Sequence, residues 1–223
     1  MTVRSVATMA ISASLLVSCA ALLPGNVKVR SAHVAEGAGN EDFHFDTVPL
    51  ACRNDAATTA VFTLVDGQQD RNGGDLGKLH DGILPVDADE PAESFFFAAG
   101  TDGGRLQLDL GKLTALEQVN TYSWHPSDRG PQVYRLYGSD GLAPGFDPAP
   151  RRGTDPLSCG WRHLASVDTR PRQGDTGGQF GASIGTSGGT LGTYRYLLFD
   201  IEPTENADPF GNTFFCELDV IEV

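Results

Sequence analysis

Three side chains that could bind a ligand, Trp124, His125 and Arg129, lie within six positions of one another in the middle of the chain. The segments on either side, residues 119–125 and 132–138, are rich in β-branched and aromatic residues with polar residues between them, which predicts two half-buried strands. Two prolines and a glycine in the connection predict a surface loop. A flat ring, a titratable imidazole and a guanidinium on such a loop indicate a ligand-binding platform.

A structural interpretation of the same residues stays open. A tryptophan in a β-strand is usually buried, so Trp124 could face the core. Arg129 could form an ion pair with Asp128, its neighbour in the sequence. Of the three, His125 and Arg129 are the stronger candidates for contact with a ligand.

The sequence has no convincing signature of catalysis. The five histidines have none of the spacings of a zinc site. The Gly-x-Ser-x-Gly pattern occurs at residues 181–185 and 185–189, but both lie in a glycine-rich stretch without the strand–turn–helix context of a serine hydrolase. A pair of carboxylic acids for glycoside cleavage stays open, because that chemistry depends on a separation in space that a sequence does not give. We therefore expect a protein that is not an enzyme.

The composition favours short strands and an acidic surface. The chain has 27 glycines and 13 prolines among 223 residues, which indicates many turns. Its formal net charge of −13 argues against nucleic acid as a partner, since binding to phosphates needs a clustered basic surface. The same charge disfavours an anionic membrane surface and suits the coordination of hard cations.

The N-terminal residues 1–25 have the pattern of an export signal. Arg4 precedes an apolar stretch, residues 6–17, that is too short for a membrane span. The sequence Leu-Val-Ser-Cys at residues 16–19 resembles a bacterial lipobox, which would make Cys19 a lipidated first residue; simple cleavage nearby, for instance after Ala20, is the alternative. Residues 26–49 have few apolar positions and predict a linker, so the folded domain is expected at residues 50–223.

Three cysteines remain in the expected domain, and an exported chain could oxidise them. Cys52 opens the domain and Cys216 lies in its last strand, so these two could form a disulfide if the first and last strands are neighbours. Three buried thiols, or a pair that uses Cys159, remain alternatives.

The rest of the domain reads as strands without a convincing amphipathic helix. Residues 105–111 alternate strictly, with leucines at positions 106, 108 and 110 on one face, which predicts a strand with one face in the core. Residues 161–168, 194–202 and 213–223 predict further strands, and a glycine-rich excursion at residues 169–193 predicts a long loop with one short strand at 179–184. The expected fold is therefore all-β, a sandwich of about eight antiparallel strands.

Four short segments occur in order along the expected domain: Asp-Gly at 81–82, Arg-Leu-Gln-Leu-Asp-Leu-Gly at 105–111, Tyr-Arg-Leu-Tyr-Gly-Ser-Asp-Gly at 134–141, and Glu-Leu-Asp-Val at 217–220. Together they resemble the discoidin, or coagulation factor 5/8 type C, family in a bacterial exported variant. The resemblance covers residues 50–223 and implies a galactose-binding-like jelly-roll sandwich. It also implies a non-catalytic module that binds glycans, or in some members phospholipid heads or proteins, through loops at one end.

The resemblance further implies which residues to test. Asp81 and Glu217, with Asp87 and Asp89 as further candidates, would hold a structural calcium ion; solvated turn carboxylates are the alternative. The residue types of Trp124, His125 and Arg129, a ring that can stack on a pyranose and two hydrogen-bond donors, independently favour contact with a sugar. With the topology of the family, Arg170 would lie at the same end of the sandwich. A structural or protein-adhesion module of the bacterial cell surface is the competing function.

Overall fold

The computed structural model describes residues 26–39, 43–174, 176–204 and 212–223. Within them lie ten β-strands and three short 3₁₀ helices, at Leu76–Leu79, Pro91–Glu93 and Pro156–Cys159. The strands are β1 (Val27–Ala35), β2 (Val61–Asp66), β3 (Phe95–Phe97), β4 (Gly104–His125), β5 (Val133–Ser139), β6 (Arg162–Asp168), β7 (Gly178–Thr186), β8 (Gly192–Glu202), β9 (Asn212–Phe215) and β10 (Glu217–Glu222).

Strand β4 connects the two layers of the fold. Its first half, Gly104–Asp109, pairs with β2 on one side and β8 on the other. After a turn at Gly111, whose φ of 74° favours glycine, its second half pairs with β10 and β7. One layer is therefore β2, β4, β8, β5 and β6, and the other is β10, β4, β7 and β1.

All of these pairings are antiparallel, and eight strands form the continuous main sheet while β3 and β9 form a separate two-stranded sheet. The predicted alternation holds: Leu106 and Leu108 are fully buried in the main core with Leu218 and Val220 of β10, while Asp109 points outward. The all-β antiparallel sandwich predicted from the sequence is confirmed.

The predicted linker at residues 26–49 is wrong, because this segment belongs to the fold. Strand β1 pairs with β7 over nine residues. Phe43, Phe45 and Val48 are buried and pack with Trp124 of β4 in what we call the second cluster, on the outer face of the β10–β4–β7 layer. The segment has few apolar residues because β1 is an edge strand and mostly exposed, so it lacks the hydrophobic pattern of a buried element.

The glycine-rich excursion also contains more structure than predicted. Strand β7 covers Gly178–Thr186, nine residues that pair with both β1 and β4. A side chain at Gly181 would place its Cβ 2.8 Å from the ring of Phe45. Glycine is needed at that position so that the N-terminal segment can pack against the sheet.

The predicted Cys52–Cys216 disulfide is not formed, since Cys52, Cys159 and Cys216 are all free thiols. The regular strand is interrupted at Cys216, between β9 and β10, and its side chain turns into the second cluster. There its Sγ lies 3.4 Å from the Ser94 Oγ, while Cys52 is half-buried and donates its backbone N–H to Asp219.

The predicted signal at residues 1–25, with the candidate lipidation site Cys19, lies outside the described residues. Among those that are described, no helix has the length and apolar character needed to cross a bilayer.

Candidate functional site

A cleft of about 500 Å³ opens beside the two-stranded sheet. Its described lining residues are Asn72, Asp89, Pro91, Phe96, Arg129 and Phe214. They come from the loop after β2, the loop before β3, the β4–β5 loop, and strands β3 and β9. Four separate segments, at residues 72, 89–96, 129 and 214, therefore converge on a volume within the usual range of small-molecule sites, about 300–1,000 Å³.

Two aromatic rings form the floor of the cleft. Phe96 and Phe214 are stacked, with ring centroids 4.1 Å apart and planes 5° from parallel. The pairing of β3 with β9 brings them together, and Thr213 turns the chain next to Phe214 with a φ of 54°, which is uncommon for a β-branched residue. Its Oγ1 donates to the Glu202 carbonyl, which fixes the turn.

Asn72 is held rigidly at the edge of this floor. The buried Asp70 accepts hydrogen bonds from both the backbone N–H and the side-chain amide of Asn72, each at 2.9 Å. The neighbouring Gly74 donates its N–H to the carbonyls of Pro91 and Ser94. The two loops thus hold each other in place before any ligand arrives.

Arg129 lies over the floor. Its guanidinium carbon is 5.8 Å from the centroid of the Phe214 ring, a cation–π distance. Its backbone carbonyl accepts the N–H of Phe214 at 3.0 Å, so the β4–β5 loop and β9 are tied together at this point. Arg129 is the member of the predicted Trp124–His125–Arg129 group that lines the cleft.

Trp124 and His125 do not line the cleft, which corrects the prediction. They are consecutive in β4 and therefore face opposite sides of the sheet. Trp124 packs edge-on against Phe43 in the second cluster, with centroids 5.5 Å apart. His125 is 1% exposed and packs against Phe214 at 4.5 Å, so it supports the floor from behind. Because the Ser127 N–H donates to its Nδ1, that nitrogen is an acceptor.

Arg170 lies elsewhere on the surface and is not among the described lining residues. It forms a two-pronged ion pair with Asp168, at 2.9 Å and 2.6 Å. Sequence reasoning missed Asn72, Phe96 and Phe214, although runs of phenylalanine at 95–97 and 214–215 mark the last two. Their alternating orientation sends Phe215 into the main core and Phe214 into the cleft.

A second polar feature is a pair of buried carboxylates on β10, Glu217 and Asp219. Glu217 accepts the Gly82 N–H at 3.2 Å, and Asp219 Oδ2 accepts hydrogen bonds from Cys52, Asn120 and Tyr122. Among the described residues, Asp219 Oδ1 has no hydrogen-bond partner and neither carboxylate has an ion-pair partner.

The surroundings of these carboxylates favour their protonated forms. Burial, with the negative charges of Asp219 and Asp81, raises the pKa of Glu217 to about 9. Burial and the charge of Asp55 raise the pKa of Asp219 to about 7, against the opposing effect of its hydrogen bonds. A buried carboxylate with a raised pKa is one that a cation would stabilise in its ionised form.

The four predicted calcium ligands do not form one cluster. In the described parts of the chain, no three His, Cys, Asp or Glu side chains are grouped to hold a metal ion. Asp81 accepts the Ile83 N–H and pairs with Lys78 at 3.1 Å, and Asp87 is exposed and accepts its own loop's Ala88 N–H. Asp89 lines the cleft with Arg129.

Several solved structures are similar to this chain. A CBM32-1 module from a family 31 glycoside hydrolase of Clostridium perfringens is 12% identical with a TM-score of 0.46, over 76% of this chain and 99% of that one. Chitosan-binding module 1 from a chitosanase/glucanase of Paenibacillus sp. IK-5 is 16% identical with a TM-score of 0.46, over 75% and 98%. The lectin binding domain of Lectinolysin, complexed with Lewis b, is 11% identical with a TM-score of 0.48, over 78% and 99%.

No protein-family model matches the chain, and no curated protein matches it. The assignment of the fold rests on the pairing and burial of the strands themselves: an antiparallel β-sandwich with a polar cleft beside its small second sheet.

Proposed function

We propose that this protein is a non-catalytic, exported module that recognises carbohydrate in the cleft. The observation that carries the proposal is the combination of Arg129, Asn72 and Asp89 with an apolar floor in one pocket. A sugar presents hydroxyl groups on its edges and C–H groups on its faces, so it matches a site with a few fixed polar groups and an apolar surface. The export signal expected at residues 1–25 is consistent with a ligand outside the cell.

The polar residues of the cleft have complementary roles. The Arg129 guanidinium only donates hydrogen bonds, the Asp89 carboxylate only accepts them, and the Asn72 amide does both. Sugar hydroxyls also do both, so neighbouring hydroxyls can satisfy all three residues at once. Phe96 stacks on Phe214, Arg129 lies over the Phe214 ring, and both phenylalanines are nearly buried, so a sugar would contact only the edges of these rings.

The number of carboxyl groups in the cleft favours a binding function over glycoside hydrolysis. Glycoside hydrolysis uses two carboxyl groups on either side of the scissile bond. Asp89 is the single carboxylate among the described lining residues. Hydroxyl recognition needs no second acid.

Replacement of Arg129 tests the proposal directly. Hydrogen bonds to a charged group contribute about 1.5–3 kcal/mol, so Arg129→Ala is expected to weaken glycan binding by roughly 10- to 100-fold. Binding would be measured on a glycan array and then by calorimetry with the best ligand. Arg170→Ala removes an equally large cation outside the cleft and is expected to leave the affinity unchanged.

Two outcomes would contradict the proposal. Equal losses in the Arg129 and Arg170 variants would move the site away from the cleft. A wild-type chain that binds no glycan on the array but binds a cell-surface protein would favour the adhesion function instead.

We also propose that a structural calcium ion is bound near Glu217 and Asp219. Calcium is coordinated by six to eight oxygen atoms, including backbone carbonyls. The buried carboxylates, the unpartnered Asp219 Oδ1 and the adjoining Asp81–Gly82 turn support this donor set. Because no cluster of three acidic side chains is present in the described residues, carbonyls and water would supply the remaining ligands. The ion would neutralise the buried charges and join the loop after Asp81 to the last strand.

A chelator is expected to lower the melting temperature by about 5–10 °C. This is the loss of stability expected when an ion that had been present at roughly 100 times its Kd no longer binds the folded state. The effect depends on pH. Because the folded-state pKa of Glu217 is raised to about 9, the metal-free fold prefers the proton and loses stability as pH rises from the unfolded-state pKa towards that value. Calcium stabilises the ionised form, so its effect should be larger at pH 8 than at pH 5.5.

The control for this experiment is Glu217→Gln, which keeps an acceptor for the Gly82 N–H but carries no charge. This variant is expected to show no response to calcium or chelator, whereas Glu117→Gln, on an exposed position, should respond like the wild type. A wild-type melting temperature that is the same with calcium and with chelator at both pH values would remove the ion from the proposal.

A further inference from the structure

Asp89 adds a negative charge to a cleft whose other charged lining residue, among those described, is Arg129. A guanidinium by itself is a good partner for a carboxylate, which it can bind through two parallel hydrogen bonds. An arginine-lined sugar site would therefore attract uronic and sialic acids. Asp89 opposes that attraction, because like charges placed close together in a binding site are strongly disfavoured.

The loop that carries Asp89 reinforces this effect. Residues 81–93 include five acidic side chains. Lys78 pairs with Asp81 and Glu93, and Glu90 accepts backbone N–H groups of its own loop, at Val86 and Asp87. Asp87 and Asp89 remain exposed towards solvent. An anionic ligand that approaches this rim meets negative charge, on a chain whose net charge is −13.

Asp89 cannot easily move away from the cleft. Its neighbour Ala88 packs with Leu84 against the second cluster, which contains Trp124 and Phe43. On the other side, Pro91 begins a 3₁₀ turn, and the Pro91 carbonyl accepts the Gly74 N–H. The backbone is thus fixed on both sides, and the short side chain has little reach.

We infer that Asp89 sets the charge selectivity of the cleft, which accepts uncharged sugars and rejects sugars that carry a carboxylate. This inference rests on the proposed function and adds to it the class of ligand and the residue that selects it. Arg129 supplies affinity for hydroxyl groups, and Asp89 prevents that guanidinium from capturing acids.

The test compares sugars that differ only at C6, where a carboxylate replaces the hydroxymethyl group: galactose with galacturonic acid and glucose with glucuronic acid, each as the methyl glycoside, on the full chain. We expect the wild type to bind the neutral member at least about tenfold more tightly, the ratio that a modest like-charge repulsion produces. Asp89→Asn keeps an acceptor oxygen, so neutral binding should change only a few-fold while the ratio falls by about tenfold. Glu117→Gln, which removes an exposed charge elsewhere, should leave the ratio unchanged.

Salt provides an independent readout. Raising the ionic strength from about 0.05 M to 0.5 M shortens the screening length severalfold. The ratio of neutral to acidic sugar affinity should therefore decrease in the wild type and stay nearly constant in Asp89→Asn. Equal binding of neutral and acidic members by the wild type, or a ratio unaffected by Asp89→Asn, would overturn this inference and leave carbohydrate binding intact. A wild type that binds no neutral glycan on an array would overturn both.

Discussion

A chain that begins at Leu50, where the sequence pattern places the start of the domain, is expected to be largely unfolded. Relative to a chain that begins at Asn26, it lacks β1 and the buried side chains of Phe43, Phe45 and Val48. Full burial of such side chains contributes about 1.5–3 kcal/mol each. Their combined loss is comparable to the whole stability of a typical domain, about 5–15 kcal/mol. Thermal unfolding followed by near-ultraviolet circular dichroism would measure the difference.

A point variant separates loss of packing from loss of the strand. Phe43→Ala removes a fully buried ring from the second cluster and is expected to cost about 3–5 kcal/mol, because the cavity is enclosed by Trp124 and Phe45. Asp46→Ala, at an exposed position in the same segment, should change stability by less than about 0.5 kcal/mol. A shortened chain with an unchanged unfolding transition would show that residues 26–49 are dispensable.

The contrast between this segment and the rest of the domain explains what the sequence could predict. Where a strand has one face in the core, as at Leu106 and Leu108, apolar and polar residues alternate and the strand is recognisable. Strand β1 lies at an edge and exposes most of its residues, so its membership of the sheet depends on pairing with β7, which no local pattern reveals.

The candidate site was only partly predictable for a related reason. Arg129 was identified because a charged residue on a loop between two strands is visible locally. Asn72, Phe96 and Phe214 reach the same cleft from segments far apart in sequence, through the pairing of β3 with β9 and the hydrogen bonds of Asp70. Consecutive residues of a strand point to opposite faces, so Trp124 and His125 of β4 cannot both face one ligand.

The second large effect is expected at Asp200, the centre of a buried ion network on the outer face of the sheet. Asp200 lies directly opposite Arg105 in the β4–β8 pairing and opposite Arg135 in the β5–β8 pairing. Arg105 is 5% exposed and holds both oxygens of Asp200, at 3.0 Å and 3.2 Å. Its remaining nitrogen donates to three backbone carbonyls, of Pro150, Arg151 and Thr154, which attaches the long loop between β5 and β6 to the sheet.

Asp200→Ala leaves the buried Arg105 without its counter-ion and is expected to destabilise the fold by about 3–5 kcal/mol, measured by urea unfolding. The reason is the uncompensated charge rather than the lost attraction, so the double variant Arg105→Met/Asp200→Ala should recover part of the loss. Lys112→Ala, which breaks an exposed pair with Glu222, should cost less than about 1 kcal/mol.

The double variant also distinguishes two roles of Arg105. If its main role is to balance Asp200, removing both residues should restore most of the stability. If its main role is to hold residues 150–154, the double variant should stay unstable and the β5–β6 loop should become sensitive to protease, because its carbonyls lose their shared donor. We expect partial recovery together with faster cleavage in that loop, since Arg105 joins the charge network to the loop through a single guanidinium. A single Asp200→Ala variant with wild-type stability would contradict the charge-balancing role, and a double variant whose β5–β6 loop is cleaved at the wild-type rate would contradict the loop-holding role.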